Sequence, residues 1–130
     1  MADYRNHYSE IQAAGATVAA VSVDPPAKSE HLRIRLSLPF PILCDTERKV
    51  VKDWDVYDSR EKGGIAKPAV FIVDSNCVVR YASVDTVAKR IPASEILRIL
   101  DTPGEAPLRR RVHFPRLSNW LTAIRNHVRA

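Results

Sequence analysis

The stretch that most constrains this chain is Gly63-Gly64-Ile65-Ala66-Lys67-Pro68-Ala69-Val70-Phe71-Ile72-Val73-Asp74. Turn formers and a proline lead into a β-branched and aromatic run that stops at an aspartate. Such a run reads as a buried strand over 69–74. Pro68 has no N–H to give a ladder, which confines it to the first position of the strand, an edge or a bulge. After a four-residue turn, Asp74-Ser75-Asn76-Cys77, a second run (VVRYASV, 78–84) follows, and the pair predicts a β-hairpin.

The segments before it supply its neighbours. Residues 3–14 read as a helix, with Tyr4, Tyr8 and Ile11 on one face and Gly15 as a stop. The run 17–23 (TVAAVSV) reads as a buried parallel strand. Asp24-Pro25-Pro26 looks like a cap with proline at the first helical position, opening a helix that carries His31, Leu32, Ile34 and Leu36. Leu38-Pro39-Phe40-Pro41 ends that helix and leads to a short strand, Ile42-Leu43-Cys44. Asp45 is expected to cap a helix from Thr46 to about Trp54, with Val50, Val51 and Trp54 inward. A polar loop covers 55–67, and 94–100 reads as a final helix with Ile96, Leu97, Ile99 and Leu100 apolar. Strands alternating with helices and closing on a hairpin predict an α/β layer fold with a mixed sheet.

Charge divides the chain. No acid follows Glu105, whereas Arg109, Arg110, Arg111, Arg116, Arg125 and Arg129 do. Removing those six from the net +5 leaves residues 1–105 at −1, so the basic character belongs to the tail. Three segments are expected: a domain over 1–101, a linker over 102–114, and a basic amphipathic helix over 115–130. Leu117, Leu121, Ile124 and Val128, with Trp120 beside them, form a continuous apolar stripe in that helix. The stripe favours packing, on the domain or on a second copy, over binding of nucleic acid or an acidic membrane surface. No run approaches the roughly twenty apolar residues of a membrane span, and no secretory leader opens the chain, so a cytoplasmic protein is expected. Two cysteines and four scattered histidines make neither a disulfide framework nor a metal site.

Three segments in order resemble the alkyl hydroperoxide reductase / thiol-specific antioxidant family of peroxiredoxins, a branch of the thioredoxin fold. They are Gly15–Asp24, ending in Ser22-Val23-Asp24; Leu38-Pro39-Phe40-Pro41-Ile42-Leu43-Cys44-Asp45; and Gly64–Asp74 with Val79-Arg80-Tyr81 after the turn. The resemblance covers roughly residues 1–100. It implies a thioredoxin-like three-layer fold with a mixed sheet and a thiol-dependent peroxidase function. It also implies no cofactor, a thioredoxin-like thiol reductant as partner, and a homo-oligomer.

The family's peroxidatic cysteine lies in a Pro-x-x-x-(Thr/Ser)-x-x-Cys segment at the first turn of the helix matching residues 1–14. A helix N-terminus favours thiolate over thiol there. Here that segment would lie before Met1, as would a central strand between those matching 17–23 and 69–74. The chain is therefore read as N-terminally truncated, lacking that strand, and of little or no peroxidase activity as it stands. The alternative is a non-catalytic thioredoxin-like binding module that uses the basic tail for self-association or for an acidic partner. By resemblance, Lys67 and Pro68 would form one wall of the site. Lys67 stands where the family has an arginine and keeps the charge without the guanidinium fork; its bland reading is a solvated lysine. Pro68 is read as the cis-proline of thioredoxin-like sites, with a trans proline at a strand start as the alternative. Cys44 and Cys77 are lesser redox candidates. Cys44 reads first as a small buried hydrophobe. Cys77 reads as an exposed turn residue, in a turn where the family often has Asp-Gly.

Overall fold

The computed structural model describes residues 1–59, 64–85 and 90–102. The order is α1 (Ala2–Asn6), α2 (Tyr8–Ala13), β1 (Ala20–Ser22), α3 (Pro26–Arg35), β2 (Ile42–Cys44), α4 (Lys49–Asp53), β3 (Tyr57–Asp58), β4 (Ile65–Ala66), β5 (Ala69–Val73), β6 (Val79–Val84) and α5 (Ala93–Asp101). These elements fall into two compact units, one of residues 1–18 with 67–102 and one of residues 19–66. The linker and tail helix expected over 102–114 and 115–130 lie, apart from Thr102, outside the described residues.

The first unit is built on the hairpin. β5 and β6 run antiparallel, pairing Ala69 with Val84, Val70 with Ser83, Phe71 with Ala82 and Ile72 with Tyr81, with an irregularity between Ile72 and Val73. Asp74 organises the turn. Its Oδ1 accepts the N–H groups of Asn76 and Val78, each at 2.9 Å, and its Oδ2 accepts from Arg80 Nε at 2.6 Å. The left-handed residue is Cys77, at φ 62°, and not Asn76 as the turn chemistry suggests. Tyr81, Ile96 and Ile99 form the core of this unit, with Tyr4, Val70, Ile72, Ile91 and Leu100 packed around them. Burying an aliphatic or aromatic side chain contributes roughly 1.5–3 kcal/mol. This cluster is what holds α5 and α1 to the hairpin.

The single helix expected over 3–14 is two short helices. At the junction the Asp3 carbonyl accepts both the His7 backbone N–H (3.2 Å) and His7 Nδ1 (3.0 Å). A side chain competing for a helical acceptor interrupts the regular ladder. The apolar face survives: Tyr4 and Tyr8 are half-buried and Ile11 is buried. Gly15 follows at φ 79°, the left-handed stop that its position in the sequence indicates.

In the second unit, β1 and β2 are parallel neighbours, Ala20 beside Ile42 and Ser22 beside Cys44, joined through α3 as a βαβ unit. The strand expected over 17–23 shortens to three residues. Pro25 occupies the cap position of α3 and Pro26 its first turn. Asp24, expected to cap, instead receives Lys28 Nζ at 2.7 Å and its own N–H bonds Ser22 Oγ. That lysine holds the Asp24 carboxyl below the usual carboxylate range. Ile34, read as one of the helix's apolar residues, is 62% exposed. α4 begins three residues later than expected, with Arg48 in its cap position, yet two of its first N–H groups are still taken up by Asp45. Its buried carboxylate accepts Lys49 N–H at 3.0 Å and Val51 N–H at 2.9 Å. Leu38, Phe40, Ile42, Leu43, Val51, Trp54 and Val56 are the buried apolar residues of this unit.

The α/β fold is therefore present, with its sheet in pieces: β1–β2 parallel, β3–β4 and β5–β6 antiparallel. No described helix is long and apolar enough to cross a membrane.

Candidate functional site

Lys67 and Pro68 connect β4 to β5, and both are half-buried. Pro68 opens the β5–β6 ladder: its carbonyl accepts the Asp85 N–H at 2.7 Å. The missing proline donor costs nothing at that position. The cis-proline reading is corrected: no cis peptide bond occurs among the described residues, so Lys67–Pro68 is trans. The ladder accommodates a trans proline at its first rung, and trans is the favoured state of an X–Pro bond.

The approach to Lys67 is more ordered than the polar loop expected over 55–67. Tyr57 and Asp58 pair with Ala66 and Ile65 in a two-rung antiparallel ladder. Gly64 lies at φ 99°, packed so closely on the Tyr57 phenol that a Cβ would overlap the ring. Arg48, itself left-handed at φ 58°, donates from Nε to the Gly64 carbonyl at 3.2 Å and from Nη1 to the Thr46 carbonyl at 3.3 Å. Lys52 Nζ stands 5.1 Å from the Tyr57 ring centroid, a cation–π distance. Arg48, Tyr57, Lys52 and Gly64 thus brace the β3–β4 ladder. The glycine pair signals the turn. Nothing in the sequence signals that Arg48, sixteen residues earlier, would reach it.

Both cysteines are free thiols. Cys44 ends β2, half-buried, with Sγ 3.9 Å from the Ile42 carbonyl. It precedes Asp45, whose carboxylate already takes up two N–H groups at the start of α4. Cys77 is exposed at the hairpin turn. The two belong to different units. Ser22 and Asp24, the Ser-x-Asp of the first motif, bond one another at the end of β1, and the Asp24 carboxylate accepts from Lys28. No group of three His, Cys, Asp or Glu side chains suited to a metal occurs among the described residues.

A βαβ unit, a proline-led strand and a closing hairpin define a thioredoxin-like α/β protein. The chain matches the AhpC/TSA family over residues 1–82. Peroxiredoxin Q, chloroplastic, from Oryza sativa is 29% identical over 99 residues, covering 76% of this chain and 45% of that protein. Alkyl hydroperoxide reductase C of Staphylococcus epidermidis is 28% identical over 116 residues, covering 79% and 59%. Among solved structures, AhpC of Mycobacterium bovis aligns with a TM-score of 0.69 at 25% identity, over 86% of this chain and 64% of that one. Reduced Prx3 from Vibrio vulnificus in complex with hydrogen peroxide gives 0.72 at 19% identity, over 80% and 68%, a likeness of fold. The chain belongs to the AhpC/TSA family of peroxiredoxins. It spans about half the length of the curated relatives it matches, 45% and 59% of the two above.

Proposed function

We propose that this chain contributes one wall of a thiol-dependent peroxidase site, and that these 130 residues do not themselves turn over peroxide. One observation carries the second half. Neither Cys44 nor Cys77 stands in a Pro-x-x-x-(Thr/Ser)-x-x-Cys segment, and neither occupies the first turn of a helix. The reaction needs a thiolate that attacks the O–O bond, leaving a sulfenic acid on sulfur and an alkoxide or hydroxide as leaving group. Lys67 would supply the positive charge beside the reacting oxygens, and Pro68 a surface with no competing N–H. A thioredoxin-like thiol would reduce the sulfenic acid, in a cytoplasmic homo-oligomer that needs no cofactor. The test is peroxide consumption by the chain with a dithiol reductant. The expected rate equals that of the reductant alone. Turnover abolished by Cys44→Ser would overturn the proposal and make Cys44 the nucleophile.

A second reading is favoured by the described strands pairing only two by two, and it is a non-catalytic binding module. Its sheet would be completed by another segment, either the tail around 112–114 or a second chain. Size-exclusion chromatography with and without residues 107–130 separates the cases. A truncated chain that stays soluble and of unchanged oligomeric state removes this reading.

A further inference from the structure

We propose that Asp3, His7 and the N-terminus of α5 form a pH-sensitive clamp that fastens the first helix of the chain to α5 more tightly when His7 carries a proton. Asp3 Oδ2 accepts the Ala93 N–H at 2.7 Å, across ninety positions of sequence. Ala93 is the first residue of α5, and its cap residue, Pro92, makes no side-chain cap. Asp3 therefore serves as a cap from a distant helix, where its charge also complements the positive end of the helix dipole. One residue along, Tyr4 Oη donates to the Ile91 carbonyl at 3.2 Å, so consecutive side chains of α1 hold Ile91 and Ala93 on either side of the cap residue of α5.

His7 closes the other side of Asp3. Its Nδ1 lies 3.4 Å from Asp3 Oδ1 and 3.0 Å from the Asp3 carbonyl oxygen. The groups set against it are the Asp3 carbonyl and carboxylate on α1 and the Glu10 carboxylate on α2; Asp85 and Tyr81 act on Tyr4. All of those nearest His7 are acceptors or acids. The Asp3 carbonyl, with Glu10 and the Asp3 carboxylate adding to it, holds the imidazole above its ordinary value despite partial desolvation. His7 is both the C-cap of α1 and the N-cap of α2, so the two helix ends act on its charge in opposite senses and the neighbouring Asp3 and Glu10 acceptors decide the direction. The sign follows from linkage. A group raised in the folded state contributes fully below its unfolded value of about 6.5, and the contribution is lost as pH rises through the folded value. Loss of the proton removes the charge that orients Asp3, and the Ala93 cap loosens.

Titration of the full chain by NMR, following the His7 ring and the Ala93 amide between about pH 5.5 and pH 8.5, tests this. The expected result is one shared midpoint, above that of a free histidine, and loss of the Ala93 inflection in His7→Gln. A second readout is the thermal unfolding midpoint. Wild type should lose a few degrees relative to His7→Gln between about pH 6 and pH 8, in line with a contribution confined to one exposed pair. An Ala93 amide that shows no inflection in this range, or keeps it in His7→Gln, overturns the clamp. So does an unfolding midpoint whose pH dependence is the same in both proteins.

Discussion

Gly64 and Cys77 both adopt left-handed backbone, for different reasons and with opposite consequences. At Gly64 the conformation coincides with a closely approaching Tyr57 ring, so no side chain fits. Gly64→Ala combines positive φ with overlap of a ring that Lys52 and the β3–β4 ladder hold in place. It should destabilise by about 1–3 kcal/mol, read from denaturant unfolding. At Cys77 the turn demands the conformation and the residue merely tolerates it. Cys77→Gly relieves that cost and should raise stability by up to about 1 kcal/mol with no change of fold. A destabilised Cys77→Gly would mean that the thiol makes contacts beyond the turn. Asp45 is a third case of local chemistry with non-local effect: two N–H groups of α4 end on one buried carboxylate, and Asp45→Ala should cost about 1–2 kcal/mol.

Among the elements, the β5–β6 hairpin and α5 are coupled through Tyr81, Ile96 and Ile99. Ile96→Ala would open a cavity under the hairpin and should cost about 2–5 kcal/mol by denaturant unfolding. A cost below about 1 kcal/mol would show that α5 is not needed to stabilise β5. The hairpin turn also carries an acid-sensitive contribution. The Val78 N–H, aided by Arg80 and the Asn76 N–H, holds the Asp74 carboxyl below its ordinary value. A lowered folded value contributes stability above the unfolded one, and that contribution is lost as pH falls through the folded value. Asp74→Asn should therefore flatten the acid limb of the stability curve below about pH 4 while leaving its alkaline side unchanged, as unfolding midpoints across pH would report. An acid limb as steep in Asp74→Asn as in wild type would assign it to other carboxylates.

At the scale of the whole molecule, the family fold is recognisable while the strands of the described residues pair as three two-stranded ladders. Two-stranded sheets are marginal by themselves, and parallel pairs more so, because their hydrogen bonds are slanted and slightly less stable per residue. The β1–β2 pair is accordingly expected to be the first to open. Amide exchange should be faster at Ala20, whose N–H bonds the Pro41 carbonyl, than at Ile72 and Tyr81, whose strands are longer and lie with the α5 cluster. Slower exchange at Ala20 than at Tyr81 would mean that β1 is held by more than the described residues provide.

Much of the order of elements was legible in the sequence, because it rests on local signals. The run read over 69–74, the turn 74–77 and the helix read over 94–100 follow from β-branched clustering, Asx chemistry and apolar periodicity, and each lies within a residue of the element found. The family could be read from Ser22-Val23-Asp24, Leu38–Asp45 and Gly64–Asp74, since each encodes a turn or a strand end at fixed spacing. What only the tertiary structure decided are the partners of those signals. That Asp3 caps a helix ninety residues away, that Arg48 holds Gly64, and that Lys67–Pro68 is trans depend on which backbone groups the folded chain brings within reach. Hydrogen bonds of that kind form between residues with no sequence relation, so no periodicity or spacing announces them.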